Sequence, residues 1–158
     1  MNGAREPLRW LTEGEMRAWR AYAVGKALLD AQLNRDLQEE HQLALADYEL
    51  LVRLSEAPSG QARMSTLAEL VASSKSRISH QIGRMENAGL VQRQECPSDR
   101  RGVLAVLTSY GQEVLGRAAP THVRGVRDYF IDLLSDQERL VLTEIFERVT
   151  RQLRPGGD

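Results

Sequence analysis

Two short stretches of this chain carry side chains suited to meeting a polyanion. The first is Ser74-Lys75-Ser76-Arg77, followed by Ser79, His80 and Arg84. Hydroxyl, imidazole and guanidinium groups hydrogen-bond base edges in the DNA major groove, and arginine matches the two acceptors of guanine. At about 100° per residue on a helix, Ile78, Ile82 and Met85 share one face. Ser76, His80, Gly83 and Arg84 then point the other way, flanked by Arg77 and Ser79. The second stretch is Asp99-Arg100-Arg101. Two residues apart in an extended segment, Asp99 and Arg101 lie on one side, so the carboxylate can orient the guanidinium. An extended, oriented arginine suits the narrow, electronegative minor groove. The plainer readings are a solvated helix face and a surface ion pair, the latter worth little in stability.

Charge distribution favours the first reading. The chain has a net charge of −1, yet Lys75, Arg77, Arg84, Arg93, Arg100 and Arg101 outnumber Glu86, Glu95 and Asp99 between Ser73 and Arg101. A locally basic stretch in an acidic protein is expected where one face meets phosphate. Other chemistries lack their residues. There is no phosphate loop, nucleophile elbow or paired acid cluster, so no enzyme is expected. His41, His80 and His122 are widely spaced and Cys96 is the lone cysteine, so neither metal nor other cofactor is expected.

With 158 residues and 42% apolar content, the chain is about one domain in size and can bury a core. No apolar run approaches the ~20 residues that span a bilayer, and the opening residues lack a secretory segment. These features predict a cytoplasmic protein with no membrane partner.

The elements that must hold the two basic stretches follow from patterning. Thr12 and Glu15 have capping-box spacing and open a long helix to about Glu40, with Trp19, Tyr22, Ala23, Leu29, Leu33 and Leu37 as apolar positions. A second helix through Tyr48, Leu50, Leu51, Val52 and Leu54 ends at Ala57-Pro58-Ser59-Gly60. Asp47 places a negative charge near the start of this helix. Ser65 or Thr66 is expected to open a third helix, with Thr66 and Glu69 as its capping box. A fourth runs from Ser74 to Asn87, and Gly89 stops it. Gly83, a weak helix former, fits close approach to a backbone or simple tolerance.

The period then changes. Residues 90–95 and 103–107 read as a β-hairpin joined by Cys96-Pro97-Ser98-Asp99-Arg100-Arg101-Gly102. Thr108 caps the next helix, which Gly116 and Pro120 are expected to kink or break. Ser135-Asp136-Gln137-Glu138 opens a last helix carrying Leu142, Ile145, Phe146, Val149 and Leu153.

Short helices followed by a hairpin are the parts of a winged helix-turn-helix. The run Leu67-Ala68, Ser79, Arg84-Met85-Glu86, Gly89-Leu90-Val91, Arg93, Asp99-Arg100-Arg101, Leu107-Thr108 and Gly111 resembles the MarR family of transcription regulators. The resemblance extends over residues 12–153. It implies a mainly α fold with a small β-hairpin wing, and a helical dimerisation region built by the first and last helices. On that reading residues 1–43 are the N-terminal dimerisation helix, 44–108 the winged helix-turn-helix and 109–158 the C-terminal dimerisation helices. It further implies a homodimer on double-stranded DNA, with the helix from Ser74 in the major groove and Arg101 in the minor groove. Repression is the commoner mode, with release by a small aromatic or anionic effector. Trp19, Arg20, Tyr22 and His122 are the candidate ligand residues. Core packing of Trp19 with Tyr22, and a capping or surface role for His122 after the helix break, are the competing readings. Cys96 occupies a position where such proteins often carry aspartate, and is read as a bystander rather than a redox sensor. The alternative class is a winged-helix module that binds protein alone, but such a module would not need Arg84, Arg100 and Arg101 unpaired along one surface.

Overall fold

The computed structural model describes residues 8–97 and 99–154, with Asp99, Arg100 and Arg101 described by their backbone course alone. Helix α1 (Glu13–His41) starts on a reciprocal cap. Thr12 Oγ1 accepts from the Glu15 N–H at 3.3 Å, and the Glu15 carboxylate accepts from the Thr12 N–H at 2.8 Å. The backbone hydrogen bond from Thr12 is the main cause of the lowered Glu15 pKa. Along its 29 residues α1 buries only Leu33 and Leu37, and its N-terminal half is largely exposed.

Helix α2 (Leu45–Glu56) has no side-chain cap at Ala44. Asp47 does lie in its first turn, but the hydrogen bond comes from α1, where Asn34 Oδ1 accepts from the Leu45 N–H at 3.0 Å. A single 3₁₀ turn, Pro58–Gly60, ends the helix. Strand β1 (Gln61–Arg63) follows, and nothing in the patterning announced it. Helix α3 (Met64–Leu70) corrects the expected Thr66 capping box: it begins two residues earlier, after Arg63, with no side-chain cap. Arg63 pairs with Leu104 in the sheet, so the strand itself fixes the start of the helix.

Helix α4 (Lys75–Asn87) is capped as expected, Ser74 Oγ accepting from the Arg77 N–H at 3.2 Å. Gly89 follows at φ 75°, a left-handed conformation that favours glycine. Strands β2 (Val91–Cys96) and β3 (Asp99–Leu107) form the hairpin. Its connection is tighter than the seven residues expected, because β3 begins at Asp99 and Cys96 already pairs with it. The sheet is antiparallel in the order β1-β3-β2, with Gln61 opposite Val106 and Val91 opposite Leu107.

Helix α5 (Ser109–Tyr129) opens on Thr108, whose Oγ1 accepts from the Gly111 N–H at 2.9 Å. A Cβ at Gly111 would collide with the Leu90 carbonyl oxygen, which explains glycine there. The expected break does not occur, and α5 runs continuously through Gly116 and Pro120. Pro120 is exposed, while Val114, Leu115, Ala118 and Thr121 are buried, so packing holds the helix together across the missing N–H. After a 3₁₀ turn (Ile131–Leu133), α6 (Asp136–Leu153) begins on the Ser135–Glu138 capping box.

The core joins α2 (Leu50, Leu51, Leu54), α3 (Leu67), α4 (Ile78, Ile82, Met85) and β2 (Val91) to Leu37 of α1, all almost wholly buried. This is a winged helix-turn-helix flanked by long helices. Helix α6 contributes no buried residue at all.

Candidate nucleic-acid interface

The amphipathic division of α4 is as the spacing predicts. Ile78 and Ile82 are at 0% exposure, while Lys75, Ser76, Arg77, Ser79, His80 and Arg84 are all exposed. The buried stripe seats the helix on α2 and α3, and the seat aims the polar side chains outward. Ser74 is also exposed. Its hydroxyl accepts for the cap and keeps its proton to donate outward. The positive end of the α4 dipole lies at Ser74-Lys75-Ser76, where it favours an anion.

The wing is fastened to this helix by Arg93, which the sequence offered as a charge and as part of the family resemblance but not as a contact to α4. Arg93 of β2 donates through Nη2 to the Ser79 carbonyl oxygen at 2.6 Å. Its own backbone N–H donates to Glu86 Oε1 at 2.9 Å. A Cβ at Gly83 would lie 3.4 Å from Arg93 Nη2, so the close neighbour of that glycine is a guanidinium rather than a backbone. Its alternating position on β2 was visible in the sequence; its partner on α4 was not. Ser79 is therefore partly engaged, its Oγ also facing Arg93 at 3.5 Å.

Arg84 departs from the expectation of an unpaired cation. Its Nη2 lies 3.7 Å from Asp47 Oδ1, in the first turn of α2. The same oxygen accepts from Gln81 Nε2 at 2.8 Å. Packing α4 across the start of α2 creates this pair between residues 37 positions apart, which local patterning does not contain. The side chains of Asp99, Arg100 and Arg101 fall outside the described residues, as does their expected ion pair; their backbone is extended, at the start of β3. Cys96 is buried at the base of the wing, where its Sγ accepts from Arg63 Nη2 at 3.4 Å.

The four candidate ligand residues do not form one site: His122 lies apart from Trp19, Arg20 and Tyr22. Trp19 and Tyr22 of α1 have ring centroids 5.8 Å apart, and Tyr22 packs on Phe146 of α6 at 5.4 Å. His122 lies instead in the unbroken part of α5, half-buried with its ring 4.5 Å from that of Tyr48. That corrects the reading of His122 as a capping residue, because no helix end occurs there. It lines a cleft of about 470 Å³ with Tyr48, Glu49, Val52, Arg53 and Leu70–Ala72, and Trp19, Arg20 and Tyr22 are not part of its lining. Burial pushes the His122 pKa down and the Tyr48 pKa up, in each case disfavouring the charged form. Arg154, beyond α6, donates to the Glu69 and Leu70 carbonyl oxygens at the end of α3, at 3.2 and 3.4 Å.

Among the described residues, no group of three or more His, Cys, Asp or Glu side chains is placed to hold a metal, and no helix is long and apolar enough to cross a membrane.

A helix seated by a buried stripe, presenting polar side chains beside a fastened wing, defines the class of winged helix-turn-helix regulators. Residues 43–103 match the sequence model of the MarR family. The crystal structure of AbsC, a MarR family transcriptional regulator from Streptomyces coelicolor, is 48% identical, covering 93% of this chain and 99% of that one with a TM-score of 0.88. Sco3205, a MarR family transcriptional regulator of the same organism solved in complex with DNA, is 41% identical, covering 96% and 95% of the two chains with a TM-score of 0.91. Transcriptional regulator HosA of Escherichia coli is 33% identical over 87 residues, 55% of this chain and 61% of its own length. The chain belongs to the MarR family, whose members among these relatives are transcriptional regulators rather than enzymes.

Proposed function

We propose that this regulator binds double-stranded DNA as a homodimer and represses transcription by occupying a pseudo-palindromic operator. The observation that carries the reading is the exposed polar face of α4, with Ser76, His80 and Arg84 above the buried Ile78, Ile82 and Met85. Side chains of this kind on a seated helix suit the major groove, and the hairpin tip with Asp99, Arg100 and Arg101 suits backbone and minor groove. A relative of 41% identity crystallised with DNA supports the same partner.

The dimer is supported by apolar side chains that the single chain leaves in water. On α1 these are Trp19, Val24 and Leu28, and on α6 Leu140, Ile145, Phe146 and Val149. Such a face calls for cover, and an isologous dimer covers both copies with one contact. Two equivalent α4 helices then meet half-sites roughly 10 base pairs apart, one turn of the duplex.

Release by a small aromatic or anionic effector completes the proposal. The cleft between α2, α3 and α5 offers the Tyr48 and His122 rings for stacking and the Arg53 guanidinium for an anion. A ligand that prefers the DNA-incompetent state must bind less tightly when operator is present. Sequencing genomic fragments retained by the purified protein tests the core of the reading: a recurring inverted repeat is expected. Footprints of one chain on a single asymmetric half-site would overturn the dimer, and a protein that passes heparin at low salt would point to a protein-binding module.

A further inference from the structure

Helix α6 buries none of its own side chains, yet the residue that follows it is bonded to the winged lobe. Arg154 donates through Nη2 to the carbonyl oxygens of Glu69 at 3.2 Å and Leu70 at 3.4 Å, which lie 85 and 84 positions earlier in the chain. These oxygens belong to the end of α3, and the carbonyls of a helix's last turn have no partner within it. An arginine supplies the donors they lack. The chain turns immediately afterwards. The Ala72 N–H donates to the Glu69 oxygen at 3.2 Å and the Ser73 N–H to the Ala68 oxygen at 2.8 Å, with Ala72 at φ 50°. Glycine usually takes the left-handed position of such a helix ending, and alanine is strained there. The turn leads directly into the Ser74 cap of α4, so whatever holds it sets where α4 begins.

We propose that Arg154 is a positioning residue, a strap that fixes the winged lobe against α6 and thereby sets the separation of the two α4 helices in the dimer. The inference rests on the dimeric DNA-binding reading. Helix α6 carries the open apolar side chains Leu140, Ile145 and Val149, through which the copies are proposed to meet, so its end keeps a fixed place relative to the dimer axis. The lobe is otherwise joined to that region through α1, by Leu37, and through α5, by Val114, Leu115 and Ala118. A bond from the end of α6 to the α3–α4 turn adds a tie at the element that precedes the recognition helix. Strapped lobes present α4 at one half-site separation, and loose lobes sample several. The strap therefore raises the share of dimers competent for the operator and lowers the share competent for any other separation.

The test uses the full chain and a duplex selected from its own genomic fragments. A second duplex has the half-sites moved apart by about two base pairs, which turns one of them by roughly 70° around the helix axis. A third keeps a single half-site. Unaltered protein is expected to prefer the selected duplex to the shifted one. In Arg154→Ala the ratio of those two affinities should fall by about twofold to tenfold, the range of a net hydrogen bond. Affinity for the single half-site should stay as it was, because one lobe binds it in any orientation. Arg154→Lys, which keeps the charge and a donor, should restore part of the ratio; Arg154→Gln takes the place of the alanine variant should that fail to melt cooperatively. A residue that only stabilised the fold would lower all affinities alike and leave the ratio intact, and that result would overturn the inference. So would a loss on the single half-site with a salt dependence shallower by ~0.9, which would make Arg154 a phosphate contact. Unaltered protein that binds the selected and shifted duplexes equally would overturn it too. Unaltered protein that retains no duplex at all would instead bring down the DNA-binding reading, and this inference with it.

Discussion

The segment from α2 to β3 and the pair of helices α1 and α6 contain leucine, isoleucine and valine in similar proportion, yet they use them differently. In the first region Leu51, Leu54, Leu67, Ile78 and Ile82 are all at 0% exposure, enclosed by elements that follow one another closely along the chain. In α6 the corresponding side chains stand open, Leu140 at 60% and Leu153 at 74%. The winged lobe closes on itself because its helices are short and cross one another, so each apolar stripe meets another. Helices of 29 and 18 residues outrun the lobe that one chain supplies, and their stripes continue past the last available neighbour. The same residue types thus form a closed core in the lobe and an uncovered face on α6.

The largest effect that can break this contrast is removal of α1. Deleting residues 1–39 takes Leu33 and Leu37 out of the lobe's own core together with the exposed half of the helix. Aggregated or unfolded material is expected by gel filtration and circular dichroism. A soluble, folded monomer would show that the lobe needs neither. Next come single core and surface replacements. Leu51→Ala should cost about 2–5 kcal/mol in thermal or chemical unfolding, the range for a fully buried leucine. Phe146→Asp, on the open face of α6, should shift the mass measured by ultracentrifugation from dimer to monomer. Equal loss of lobe structure in both would erase the distinction.

Smaller effects separate the two parts of the lobe proposed to face DNA. Arg84→Ala should cost about 1–3 kcal/mol on the cognate duplex and less on random DNA. Arg101→Ala should weaken binding to many sequences and make the salt dependence shallower by ~0.9. The reverse pattern would exchange the roles of helix and wing. The smallest expected effect is on pH. Burial lowers the His122 pKa below that of the unfolded chain, so the unfolded state takes up its proton first as pH falls. Stability should therefore decline on acidification from the ordinary histidine value of ~6.5 down to the lowered one, and level off below it. His122→Gln should remove that part of the decline in melting experiments run across this window, and a decline left intact would assign it to other groups.

What could be read in the sequence was local in origin. Thr12 with Glu15, Ser135 with Glu138, and the stripe of Ile78, Ile82 and Met85 depend on residues three or four apart, so spacing alone determines them. Ser74 as cap and Gly89 as stop belong to the same kind. The tertiary structure decided what joins distant positions. Strand β1 is three residues long and exists because β3 pairs with it some forty residues later, which also moved the start of α3 away from Thr66. Gly116 and Pro120 read locally as a kink or break, yet α5 runs through both, with buried side chains on either side offsetting the one hydrogen bond that Pro120 removes. Arg93 reaches Ser79, Asn34 caps Leu45 and Asp47 holds Gln81 and Arg84 only once the elements cross. A side chain's face follows from helical period, but its partner depends on which other element packs there, and no local spacing carries that information.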